Sequence, residues 1–326
     1  MIAMVLSVNP KILIADEATT ALDVTTQAQI LEMLRDIVKR TNTSLVIVTH
    51  NLGIVARYAE RIYVMYAGRI VEEGTVKELF SNPRHPYTEG LINAVPRLDD
   101  PKNKKLVPID GTPPNLANLN TDQCPFLPRC KYRTEKCYHS PAPKLERVRN
   151  NHFVACYSDI TKSEVLMKEK LSHKNTENTE LQKNNNNEVL LEVRGMKVYF
   201  PITKGILQRK VADIKAVDDV SFFIRKGETL GLVGESGCGK STIARTIMRL
   251  NQATAGQIKF KNKDISKMTK KELGLLHREI AMIFQDPFGS LNPRQTAESI
   301  VGEPLIIHKL VRNKQEYDRR VDELFY

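Results

Sequence analysis

The sequence predicts an α/β protein built on a parallel sheet, with a smaller antiparallel β subdomain, and three observations carry that expectation. The runs ILIA (12–15), SLVIV (44–48) and TLGLV (229–233) are short and continuously apolar, as strands covered on both faces are. Between the first two, Ile30, Leu31, Leu34, Ile37 and Val38 repeat at helical spacing, which supplies the crossover helix that parallel strands need. After the third, a glycine-rich turn opens onto a further helical pattern.

Along the chain, RIYVMYAGRIVEEG (61–74) predicts a hairpin turning at Ala67 and Gly68. From about residue 80 to 160 the sequence is Pro-rich and loop-like, and it carries four of the five cysteines. KNTENTELQKNNNNE (174–188) is polar and of low complexity, so it cannot bury a core and is expected to be a flexible linker. VLLEVRGMKVYF and KAVDDVSFFI then predict antiparallel strands, and 270–326 is mostly helical in pattern, interrupted at FQDPFGSLNPR. The chain stops at VDELFY without a closing signal, which reads as a truncation.

A chain of 326 residues with 41% hydrophobic content has room for two soluble domains. No apolar run approaches the ~18 residues that span a bilayer, and MIAMVLSVNP lacks the basic start of a signal peptide. The expectation is a cytosolic chain unless a partner holds it at a membrane. The net charge of +11 comes from 49 basic residues scattered among 38 acids, the pattern of a solvated surface rather than a nucleic-acid patch. Five cysteines without a secretion signal argue against a disulfide framework.

Gly234 to Ser241 reads G-x-x-x-x-G-K-S, after a strand and before a helix. In that context the loop Gly234, Glu235, Ser236, Gly237, Cys238 and Gly239 turns backbone N–H groups toward phosphates, with the helix N-terminus adding its positive end. Lys240 would reach the β- and γ-phosphates and Ser241, followed by Thr242, would ligate Mg²⁺. Cys238 reads as a small filler, not a reactive thiol. ILIADE ends a buried strand in Asp16 and Glu17, where Asp16 can hold the Mg²⁺ shell and Glu17 can polarise an attacking water.

ILIADEATTALD, VIVTHNLGIV, YAGRIVEEG, GESGCGKST and MIFQDPFGSLNPR resemble the Walker B, D-loop, H-loop, Walker A and Q-loop segments of ABC-transporter ATPases. The resemblance implies a P-loop NTPase core using ATP and Mg²⁺, with His50 contacting the γ-phosphate and Gln285 linking the metal site to a transmembrane partner. It also implies an aromatic stacked on adenine, Phe200 first and Tyr199 second. Ala18 stands where the family usually has Pro. NPRHPYTEGLINAVP (82–96) resembles the segment that follows the core in oligopeptide and dipeptide permease subunits. Members of that family carry a four-cysteine motif here, associated with a [4Fe–4S] cluster. Cys124, Cys130, Cys137 and Cys156, spaced C-x5-C-x6-C-x18-C, would equally suit Zn²⁺, and four unligated thiols are the third reading.

The acidic strand precedes the phosphate loop by two hundred residues, the reverse of their order in one such domain. The resemblance resolves this as residues 1–80 forming the back half of one ABC ATPase domain, 81–160 its extension, 161–188 a linker, and 189–326 the front half of a second domain. The two halves are expected to meet as a permuted composite, with strand 44–48 between 12–15 and 229–233. No segment resembles the family's LSGGQ-like signature, which an opposing ABC ATPase domain supplies to each site. The implied role is the ATP-binding component of a peptide importer, peripheral on the cytoplasmic face of the cell membrane, working with permease subunits and, indirectly, an extracytoplasmic substrate-binding protein. The rival readings are a nucleotide-binding fragment without turnover and a DNA-repair ABC ATPase; no nucleic acid is expected as a partner.

Overall fold

The computed structural model describes residues 1–20, 22–95, 107–149, 151–158, 160, 188–205, 208–286 and 289–325. The expected linker, 174–188, lies outside the described residues except for Glu188. Twelve strands are described: β1 Ile12–Asp16, β2 Ser44–Thr49, β3 Arg61–Tyr66, β4 Arg69–Thr75, β5 Glu146–Arg149, β6 His152–Val154, β7 Val189–Lys204, β8 Arg209–Arg225, β9 Thr229–Val233, β10 Ala255–Phe260, β11 Lys263–Asp264 and β12 Ile280–Ile283.

Eight of them form one sheet in the order β12-β1-β2-β9-β3-β4-β6-β5. From β12 to β3 neighbouring strands run parallel; β4, β6 and β5 continue the sheet antiparallel. The strand 44–49 therefore lies between 12–16 and 229–233, the composite order that the sequence predicts. Every residue of β1, β2, β3 and β9 is buried, which explains the continuous apolar runs. Alternate residues feed opposite cores. Ile12, Ile14, Val46, Val48, Leu230 and Leu232 pack toward the second sheet, while Leu13, Ala15, Leu45 and Ile47 pack on Leu31, Leu34 and Val38 of the crossover helix.

That helix, Val24–Thr41, starts where the Asp23 carboxylate accepts from the backbone of Thr25 and Thr26, and ends at Asn42 in the left-handed conformation. The hairpin β3–β4 turns at Ala67 (φ 46°) and Gly68 (φ 81°), as read from the sequence. The second sheet, β11-β10-β7-β8, is antiparallel.

Two segments depart from the sequence reading. The stretch 270–326, expected to be mostly helical, holds β12, which pairs with the edge of β1; IAMI is four apolar residues, too short for its own period to tell strand from helix. The stretch 80–160, expected to be loop-like, holds the helices Pro86–Asn93 and Glu135–His139 and the strands β5 and β6. Those strands are three to four residues long, and β5 is exposed along its length, so neither shows alternation.

Candidate functional site

Parallel register brings the carboxyl ends of the central strands level: Asp16 pairs with Val48, and Thr49 with Val233. Glu17, His50 and Gly234 are the next residues along, so all three emerge on one rim, the position where open α/β sheets bind ligands.

The phosphate-loop sequence is wedged between two other backbones. Gly234 has φ 156° and Gly239 φ 106°. A Cβ on Gly234 would come within 2.3 Å of the Met65 carbonyl oxygen, and one on Gly239 within 2.2 Å of that of Ala216. The hairpin turn also holds the loop, since the Gly68 N–H donates to the Cys238 carbonyl at 3.0 Å. Lys240 is buried, and its Nζ donates to the carbonyls of Gly234 (2.8 Å) and Glu235 (2.9 Å). Cys238 is buried, and burial pushes its thiol pKa up. Ser236 and Gly237 are exposed at the loop's outer edge, and Thr242 is half-buried in the helix Lys240–Ile247.

Ser241 Oγ donates to Asp16 Oδ1 at 2.8 Å. Asp16 is fully buried and its other oxygen, Oδ2, has no protein partner; burial raises its pKa above the usual carboxylate value. Beside it, Glu17 stands at φ 47° and holds the two residues that the resemblance points to. His50 Nδ1 lies 3.1 Å from Glu17 Oε1, and Gln285 Nε2 donates to Glu17 Oε2 at 3.1 Å. Asp16, Glu17, His50, Lys240, Ser241 and Gln285 thus join one connected site. Phe200 is 40% exposed on β7, free to meet a planar group. Tyr199 is engaged, its hydroxyl donating to Asp218 at 2.5 Å.

Two further residues of this site escape sequence reasoning. The Glu235 N–H donates to the hydroxyl of Tyr87 at 2.7 Å, and the Glu235 carboxylate takes both arms of Arg129, at 2.8 and 3.2 Å. Tyr87 lies in HPYT, which marked the segment but not this contact; Arg129 sits in an irregular stretch without any pattern.

Cys124, Cys130, Cys137 and Cys156 line one cavity of about 20 Å³ with His85, Phe126 and Tyr157, and all four are free thiols. Burial pushes Cys124 up to about 11 and Cys156 up to about 12. Four sulfurs are the donor set of a metal centre, yet a space of that size admits about one water-sized group. Among the described residues no group of three or more His, Cys, Asp or Glu is arranged to hold a metal ion.

The chain is 39% identical over 327 aligned residues, covering 99% of its length, to the oligopeptide transport ATP-binding protein OppD of Mycobacterium bovis. Residues 217–325 match the family described as ABC transporter, and 71–137 the family described as oligopeptide/dipeptide transporter, C-terminal region. Two segments of the chain thus match models of ABC-transporter proteins, and nearly its whole length is homologous to an ATP-binding protein of that kind. A second relative, the glutathione import ATP-binding protein GsiA of Escherichia coli O157:H7, is 36% identical over 98% of this chain. The alignment covers 52% of the first relative and 42% of the second, so the chain spans about half the length of the curated relatives it matches. A dimeric structure of a post-hydrolysis state of the ATP-binding cassette MJ0796, bound to ADP and Pi, overlaps 41% of this chain and 54% of that one at 24% identity and TM-score 0.35. Among the described residues no helix is long and apolar enough to cross a membrane.

Proposed function

We propose that this chain is the ATP-binding component of a peptide importer, coupling MgATP binding and hydrolysis to transport through separate permease subunits at the cytoplasmic face of the membrane. The observation that carries the reading is the contact between Ser241 and Asp16, residues 225 positions apart, which leaves the buried Asp16 Oδ2 aimed at no protein donor. A hydroxyl and a buried carboxylate at a helix N-terminus suit a hydrated Mg²⁺. Lys240 and the loop 234–242 would take the phosphates, Glu17 would polarise water, His50 and Gln285 would act through Glu17's side of the site, and Phe200 would stack on the base. An opposing ABC ATPase domain would complete the site with its signature segment, residues 1–80 and 189–326 being the parts contributed by two cassettes.

For the cysteine cavity, the donor set supports a thiolate-held centre while the volume opposes a four-iron cluster. Metal analysis of anaerobically purified chain reads iron, zinc or neither.

The test of the main reading is equilibrium MgATP binding by the purified chain beside its Lys240→Ala variant, with phosphate release measured in parallel. Binding that falls at least ~10-fold in the variant supports it. Equal affinity of the two proteins would sink it, and binding without any release would favour a nucleotide-binding element that does not turn over.

A further inference from the structure

The segment that carries HPYT and the cysteines is not a neighbour of the phosphate loop by packing alone; it is hydrogen-bonded to it at one residue. Tyr87 is fully buried, with its ring against Tyr66 at 4.7 Å and Phe126 at 5.5 Å, and its own N–H donates to His85 Nδ1 at 3.1 Å. Its hydroxyl is therefore fixed in place, and it accepts the Glu235 N–H. That N–H belongs to the same peptide unit as the Gly234 carbonyl. In a trans peptide the two point in opposite directions, and the carbonyl on the far side receives Lys240 Nζ at 2.8 Å. Tyr87 thus locks the peptide plane that sets the lysine.

Arg129 acts on the side chain of the same residue. Its guanidinium forks onto Glu235 while Nε donates to the Asp110 carbonyl at 2.8 Å. Its side chain is only 6% exposed, against 25% for Glu235. A carboxylate in a loop that receives polyphosphate would repel its ligand; a paired one does not. Arg129 ends the short turn Leu127–Arg129 and is followed directly by Cys130, so this clamp is continuous with the wall of the thiol cavity.

We propose that Tyr87 and Arg129 are positioning residues of the phosphate loop, through which the cysteine-bearing segment sets the affinity for a nucleoside polyphosphate. The ligand in this inference rests on the proposed function; the clamp on the loop does not. Two readouts on the full chain keep them apart: MgATP affinity, and hydrogen exchange of backbone amides in 234–240 without nucleotide. Tyr87→Phe keeps the ring and deletes only the acceptor, and Arg129→Met deletes the fork. Each should speed loop exchange and weaken MgATP binding about fivefold, the effect of one hydrogen bond. Arg129→Lys, which keeps the charge, should fall between wild type and Arg129→Met. In a Glu235→Gln background, Arg129→Met should have little further effect, a saturation that general destabilisation would not produce. Unchanged exchange and affinity in Tyr87→Phe and Arg129→Met would overturn the proposal, as would equal losses with and without Glu235. Should wild type bind no MgATP, the nucleotide reading fails, and loop exchange alone decides the clamp: faster in both variants supports it, unchanged overturns it.

Discussion

Gly231 offers a direct measurement of whether the two halves of this chain share one core. It lies in β9, and a Cβ built on it would come within 2.1 Å of Val55 Cγ1, with Ala59 and Ile62 next at 3.4 and 3.5 Å. Val55 is fully buried in the helix Leu52–Tyr58, so it has little room to yield. Gly231→Ala alone overpacks this contact and should destabilise by about 2 kcal/mol. Val55→Ala alone removes two buried methyl groups, at about 0.8 kcal/mol each with a cavity added, for a loss of about 2 kcal/mol. In the double variant the new methyl fills the space that the valine vacates. Its loss should be about 2 kcal/mol rather than the roughly 4 that addition gives, a coupling of about 2 kcal/mol. Denaturant unfolding of the four proteins, compared at constant slope, measures this. Additive losses would mean that β9 does not lie against the helix 52–58 and that the composite sheet is wrong.

Asp16→Asn should weaken Mg²⁺-dependent nucleotide binding while raising the stability of the nucleotide-free chain by about 1 kcal/mol at neutral pH, because it removes a buried charge with one unpaired oxygen. The sign follows from the raised pKa. The folded state holds this proton more tightly than the unfolded one, so the group's contribution falls as pH rises through its folded value; an Asp16→Asn variant less stable than wild type at neutral pH would contradict it. His85 shows the opposite linkage. Burial lowers its pKa to about 3, so below about pH 6.5 the unfolded state binds the extra proton, and stability should fall by about 1.4 kcal/mol per pH unit toward about pH 3 from this group alone. His85→Gln should flatten that slope in unfolding measured across the range, and an unaltered slope would count against the neutral buried ring. Gly239→Ala should abolish MgATP binding while leaving a folded chain by circular dichroism, since its Cβ meets the Ala216 carbonyl at 2.2 Å in a left-handed backbone; wild-type affinity would show that the loop is not wedged there.

Short-range pattern was enough to single out Asp16 and Glu17 as candidates, because a buried strand ends in them, and Lys240 and Ser241, because a glycine-rich loop runs from a buried strand into the helix that they open. The strands 12–16, 44–49 and 229–233 were legible for the same reason: burial on both faces writes an uninterrupted apolar run. The crossover helix was legible because three of its five periodic residues, Leu31, Leu34 and Val38, are the ones it buries. Four-residue β12 and the exposed β5 were not, since pairing with β1 and β6 rather than local pattern makes them strands. Spacing named the four cysteines but could not say that their sulfurs surround only about 20 Å³. The joining of Ser241 to Asp16, of Gln285 to Glu17, and of Tyr87 and Arg129 to Glu235 spans 106 to 268 positions. Local sequence determines which face an element buries; which elements then meet depends on the summed packing of the whole sheet, and only the tertiary structure decided that.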